Sequence, residues 1–137
     1  MKVKVAKTAG FCFGVKRAVD KVYQLIEQGV QPIYTLGPII HNEEVVSDLA
    51  DRGVQVIEEQ DLDTLSGGTV VIRSHGVAKE VYDFLKKQDL KIVDATCPFV
   101  LKIHRIVEEH AKAGEHIVII GNDKHPEVEG IKGWCGP

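Results

Sequence analysis

Cysteine, tryptophan and methionine are scarce in this chain: three, one and one in 137 residues. Thiols so few, and odd in number, exclude a disulfide-stapled secreted scaffold. They leave Cys12, Cys97 and Cys135 as free thiols or metal ligands in a reducing compartment, which points to the cytoplasm. The opening MKVKVAKTAG has no signal-peptide apolar stretch, and no run approaches the ~18 residues that a membrane span needs. An excess of one charge sign is missing as well. The net charge is −3 and no helical face carries a basic stripe, so neither nucleic acid nor a membrane is expected as a partner. There is no P-loop, no G-x-G-x-x-G, no linker and no low-complexity tract.

What is present is a repeating unit. Short β-branched runs at residues 3–5, 32–35, 54–57, 69–72, 92–93 and 116–120 read as strands, and most precede segments with helical spacing. Val15, Ala18, Val19, Val22, Leu25 and Ile26 make one apolar helix face, and Phe99, Val100, Ile103, Ile106, Val107 and Ala111 make another. Asn42 suits a helix cap, while Pro98 and Pro126 suit first helical positions. Strands alternating with helices imply an α/β fold, a mostly parallel sheet with flanking helices. The stretches IYTLGPIIHNEEVV, VVIRSHGVAKEV and IVIIGNDKHPEVEG each run strand, short loop, histidine, helix.

On that scaffold the reactive residues fall at one level. Cys12 follows the first expected strand, His41 the second, His75 the fourth and Cys97 the fifth, while His125 and Glu127 follow the last. All lie between the carboxyl end of a strand and the start of a helix, the edge where open α/β sheets bind ligands and helix N–H groups attract anions. Cys12, in AGFCFGVKRAV, sits between glycines that admit a bulky group, with Lys16 and Arg17 within a turn, features of metal-binding or reactive cysteines. A buried structural thiol is the plain alternative, and Phe11 and Phe13 read equally as cofactor walls or as core.

Cys97, in VDATCPFV, repeats the setting, and cysteines this far apart suit a cluster assembled in space rather than a C-x-x-C hairpin. Cys135, in GWCGP, lies outside the pattern and reads as incidental. His41 and His75 either cap helices or, as a pair beside Ser74, contact phosphate oxygens through charge-assisted hydrogen bonds. His125 and Glu127 form a plausible proton-transfer couple, with first-turn helix complement as the plain reading of the carboxylate. His104, His110 and His116 read as structural. A thiol-phosphatase loop is disfavoured, because Arg17 comes one residue too early after Cys12. A zinc site on both cysteines and a histidine stays open, as does a non-catalytic phosphate-binding module with structural cysteines.

Together AGFCFGVKRAV, LGPIIHNEEVV, RSHGV, VDATCPFV and HPEVEG resemble the 4-hydroxy-3-methylbut-2-enyl diphosphate reductase family, iron–sulfur enzymes that end the methylerythritol phosphate route to isoprenoids. The resemblance implies a [4Fe–4S] cluster on three cysteines amid three similar α/β domains. Cys12 and Cys97 would be two ligands, the third lying outside this sequence. It further implies His41 and His75 as diphosphate contacts, His125 lining the substrate pocket and Glu127 as proton donor. Ferredoxin or flavodoxin would supply electrons, and the allylic diphosphate substrate would yield isopentenyl and dimethylallyl diphosphates. Family members continue for about as much chain again, so the sequence reads as an amino-terminal portion not expected to be active alone. Residues 1–96 would form a first α/β domain and 97–137 the incomplete opening of a second, leaving the apolar face of the 99–111 helix exposed and prone to association.

Overall fold

The chain folds as a computed structural model in which residues 1–136 are described. The elements run α1 (Phe13–Glu27), β1 (Ile33–Leu36), α2 (Glu43–Asp51), β2 (Val54–Ile57), a 3₁₀ helix (Glu59–Thr64), β3 (Thr69–Ile72), α3 (Lys79–Leu85), β4 (Lys91–Asp94), α4 (Pro98–Lys112) and α5 (Pro126–Lys132). The strands form one all-parallel sheet in the order β2-β1-β3-β4. This is the α/β architecture expected from the alternating pattern.

Each strand sends alternate side chains to opposite faces. Ile33, Val54, Val71 and Val93 meet Ala18, Val19, Val22 and Leu25 of α1 and Leu49 of α2. Leu36, Ile57, Val70 and Ile72 meet Leu62 of the 3₁₀ helix and Leu85 of α3 on the other face. Both faces are thereby covered, as a parallel sheet requires. The helix starts follow local chemistry. Asn42 Oδ1 accepts from the Val45 N–H at 3.0 Å, and Pro98 and Pro126 occupy positions where a missing N–H costs nothing.

Two expected strands do not form. Residues 3–5 and 116–120 are irregular, with Val3, Val5, Val118 and Ile120 exposed. A strand exists only if a neighbour takes its backbone hydrogen bonds, and among the described residues neither segment pairs with one. Cys12 therefore follows an irregular segment rather than a strand. The apolar stripe of α4 is divided: Val100 and Val107 are buried, whereas Phe99, Ile103 and Ile106 are exposed, as are Phe11 and Phe13.

The strand order fixes where a ligand fits. From β1 the chain moves to β2 on one side, and from β3 it moves to β4 on the other. The crevice opens where the direction reverses, between the carboxyl ends of β1 and β3.

Candidate functional site at the carboxyl edge

Hydrogen bonds tie together the loops that leave three neighbouring strands. The Ser74 N–H donates to the Ile39 carbonyl at 3.3 Å, and the Cys97 N–H donates to the Ser74 carbonyl at 2.9 Å. Ser74 is thus a buried bridge between the loops after β1 and β4. His41 and His75 sit beside these joints, and their ring centroids are 4.6 Å apart. His125 caps α5 and completes a triangle, 6.4 Å from His41 and 5.9 Å from His75. α5 packs closely under the turn that carries His75: a methyl group at Gly130 would be in ordinary van der Waals contact with the His75 carbonyl oxygen, at 3.7 Å. Three imidazoles expected from separate stretches converge on one rim.

Among the described residues no carboxylate offsets the positive groups around His75, although Glu43 and Glu44 open α2 and Glu127 opens α5. His75 is half-buried, and its pKa is lowered to about 4, first by burial and then by His41, Arg73 and His125. Its Nδ1 has no hydrogen-bond partner, nor does the buried Arg73 Nε. His125 Nδ1 accepts from the Glu127 N–H at 3.2 Å, so in the neutral ring the proton sits on Nε2, which is left to donate. Cationic or donor groups face one another here with unused hydrogen-bonding capacity, which suits a multiply charged anion. A cavity of about 600 Å³ borders Arg73 and Pro126 but mixes Glu58, Glu59 and Glu129 with Arg73 and Lys132, and none of the three histidines lines it. The histidine rim, not that cavity, has the chemistry of an anion site.

The thiols stand on the same edge. Cys12 is the N-cap of α1 and Cys97 the N-cap of α4, and neither thiol is spent on capping its helix. A methyl group at Gly14 would lie 2.5 Å from Cys97 Sγ, so that sulfur rests against the first turn of α1, two residues from Cys12. Arg17 donates to the Thr96 carbonyl at 3.0 Å and Lys21 to the Asp94 carbonyl at 2.5 Å, clamping α1 to the exit of β4. The basic residues after Cys12 thus hold backbone; Lys16 pairs instead with Asp20 at 2.5 Å.

As a cluster site, this donor set fits in part. Two free thiols at helix N-termini without first-turn carboxylates offer soft ligands backed by N–H groups. A cluster on three cysteines needs one more, and among the described residues no three His, Cys, Asp or Glu groups combine to hold a metal ion. Cys135 Sγ lies 3.6 Å from the Ile131 carbonyl beyond α5. His104, read from the sequence as structural, is buried, and the places of Arg73 and Trp134 depend on depth and stacking that spacing does not reveal.

A parallel α/β sheet that gathers imidazoles and thiols at its switch-point edge defines an α/β protein with a polar, donor-rich crevice at the carboxyl ends of its strands. The chain belongs to the LytB protein family, which matches residues 3–137. Curated relatives agree. It is 55% identical, over 98% of the chain, to the 4-hydroxy-3-methylbut-2-enyl diphosphate reductase of Thermoanaerobacter sp. (strain X514), and 52% identical over 98% of the chain to that of Caldanaerobacter subterraneus subsp. tengcongensis. Each alignment takes in 48% of the relative, so the chain spans about half the length of the curated relatives it matches. A solved (E)-4-hydroxy-3-methyl-but-2-enyl diphosphate reductase, described as the terminal enzyme of the non-mevalonate pathway, superposes with a TM-score of 0.81 at 41% identity, covering 96% of this chain and 46% of its own. The Plasmodium falciparum E-1-hydroxy-2-methyl-but-2-enyl-4-diphosphate reductase superposes at 0.86 and 34% identity, covering 93% and 40%. Within the described residues no helix is long and apolar enough to cross a membrane.

Proposed function

We propose that this chain supplies the amino-terminal half of a cytoplasmic 4-hydroxy-3-methylbut-2-enyl diphosphate reductase. Residues 1–96 would form one α/β domain and residues 97–137 the opening of a second. The observation that carries the reading is the histidine triangle at the β1/β3 crevice, where the loops bearing His41 and His75 are hydrogen-bonded through the Ser74 backbone to the loop that ends in Cys97. Diphosphate binding belongs to the triangle: His41, His75 and His125 would donate to its oxygens, protonation of His75 being favoured once the anion arrives. Overall, an allylic alcohol takes up two electrons and two protons, its C–O bond becomes C–H, and water leaves. Cys12 and Cys97 would hold a [4Fe–4S] cluster together with a third cysteine from elsewhere; the cluster would supply the electrons, received from ferredoxin or flavodoxin. Glu127, whose N–H fixes His125, would deliver a proton from the first turn of α5.

Three measurements test this. Protein extended to the full length of the family and reconstituted anaerobically should be brown and contain iron and sulfide. A colourless product carrying stoichiometric zinc would refute the redox reading. In that protein Glu127→Gln should keep the iron content and substrate affinity but lose at least ~10²-fold in kcat, the usual scale of one proton-transfer group. Unchanged turnover removes Glu127 from the mechanism. The third test concerns pH. Because the folded His75 pKa lies below the ordinary imidazole value, the unfolded chain binds more protons between about pH 6.5 and 4, so stability falls as pH falls through that window. Bound diphosphate should shrink this acid loss, and calorimetry in buffers of different ionisation heat should show proton uptake that is absent from His75→Ala. Identical uptake in both proteins would show that His75 does not titrate on binding.

A further inference from the structure

The histidine triangle is built from two pieces. His41 and His75 ride on loops of the sheet, whereas His125 rides on α5, which joins the sheet through no strand of its own. Something must hold α5 at the right distance. Trp134, two residues past the end of α5, reaches back and its indole N–H donates to the Val77 carbonyl at 3.0 Å. That carbonyl belongs to the turn carrying His75. The other face of the contact is His104 of α4, stacked on the indole with centroids 5.1 Å apart and planes inclined by 17°. His104 is 3% exposed and fills the space beneath the same turn: a methyl group at Gly76 would lie 2.7 Å from its Cε1. Its Nε2 has no partner, so this imidazole contributes shape and a flat face rather than a hydrogen bond.

We infer that Trp134 and His104 are positioning residues that dock α5 onto the turn after β3 and thereby set the distance between His125 and His75. The inference rests on the anion-site reading above for its functional consequence, but the docking itself stands on contacts alone. Its logic is leverage. A short helix with one ligand at its start is held by an aromatic anchor just past its end, so loosening the anchor moves the ligand. A residue that merely filled the core would affect melting, not the mutual placement of two imidazoles ahead of it.

The test uses this chain with inorganic diphosphate as the probe, comparing Trp134→Ala, Trp134→Phe, His104→Ala, His104→Phe and His125→Ala. Affinity is measured by calorimetry, and contacts between the His75 and His125 rings by nuclear Overhauser effects. Trp134→Ala and His104→Ala should weaken binding about tenfold and lose the ring contact. His104→Phe, which keeps the flat face, should restore both to the unsubstituted level, and Trp134→Phe, which loses the N–H, should fall between. If Trp134→Ala is too unstable to purify, Trp134→Phe and the two His104 substitutions decide alone. Wild-type affinity and ring contact in His104→Ala and Trp134→Phe would overturn the inference. If the unsubstituted chain fails to bind diphosphate, or His125→Ala binds it equally well, the anion-site reading falls instead. The ring contact then decides docking: its retention in the alanine variants refutes the inference, and its loss upholds it.

Discussion

His75→Ala is expected to weaken diphosphate binding by about 100-fold, with His41→Ala and His125→Ala each costing nearer tenfold. The ranking follows from position. His75 is half-buried and lies 4.6 Å from one partner ring and 5.9 Å from the other, whereas His41 and His125 are exposed and 6.4 Å apart. A hydrogen bond to a charged group contributes roughly 1.5–3 kcal/mol, most where water is excluded, and about 1.4 kcal/mol is a factor of ten. Folding should scarcely suffer, because Nδ1 of His75 has no partner to lose. Titration calorimetry at low salt, with a melting curve for each variant, checks both statements. Intact affinity beside a lowered melting temperature would make His75 a core residue.

Gly14→Ala should disrupt the join between the two cysteine-bearing helix starts with a single methyl group. In an exposed helix the change stabilises by roughly 0.5–1 kcal/mol. At this position the new carbon would lie 2.5 Å from Cys97 Sγ and 3.1 Å from its Cβ, far inside van der Waals contact. Rotation about χ1 can carry Sγ away, but Cβ cannot retreat without moving the backbone, which the Ser74 carbonyl holds through the Cys97 N–H. The crowding should reverse the sign, to a net loss of about 1–2 kcal/mol, within the range of overpacked cores. Cys97 should react faster with a thiol reagent, and iron uptake by the full-length protein should collapse. A Gly14→Ala protein with normal thiol kinetics and full iron content would show that the two helix starts are not closely registered.

Much of this was legible in the residues. The spacing of Ala18, Val22 and Leu25 marks the buried face of α1, the Asn42 cap and the prolines at 98 and 126 mark helix starts, and the β-branched runs mark β1 to β4. Convergence of Cys97 with His41 and His75 followed from one rule, that parallel strands deliver their following loops to the same edge. What failed did so because pairing is not local. Residues 3–5 and 116–120 have strand composition, yet a ladder needs a second strand, and no property of valine or isoleucine supplies it. Depth was equally hidden. His104 looks like any helical histidine until Gly76 and Trp134 are seen to enclose it.

The Ser74 bridge has one more consequence. A single residue, through its own N–H and carbonyl, joins the loops bearing His41 and His75 to the loop bearing Cys97, leaving little slack along this edge. Such a span works as a ruler. In the full-length reductase proposed above, diphosphates of alcohols one carbon shorter or longer should dock their charged heads equally well yet present the hydroxyl out of register, so chain-length discrimination should appear in turnover rather than in affinity.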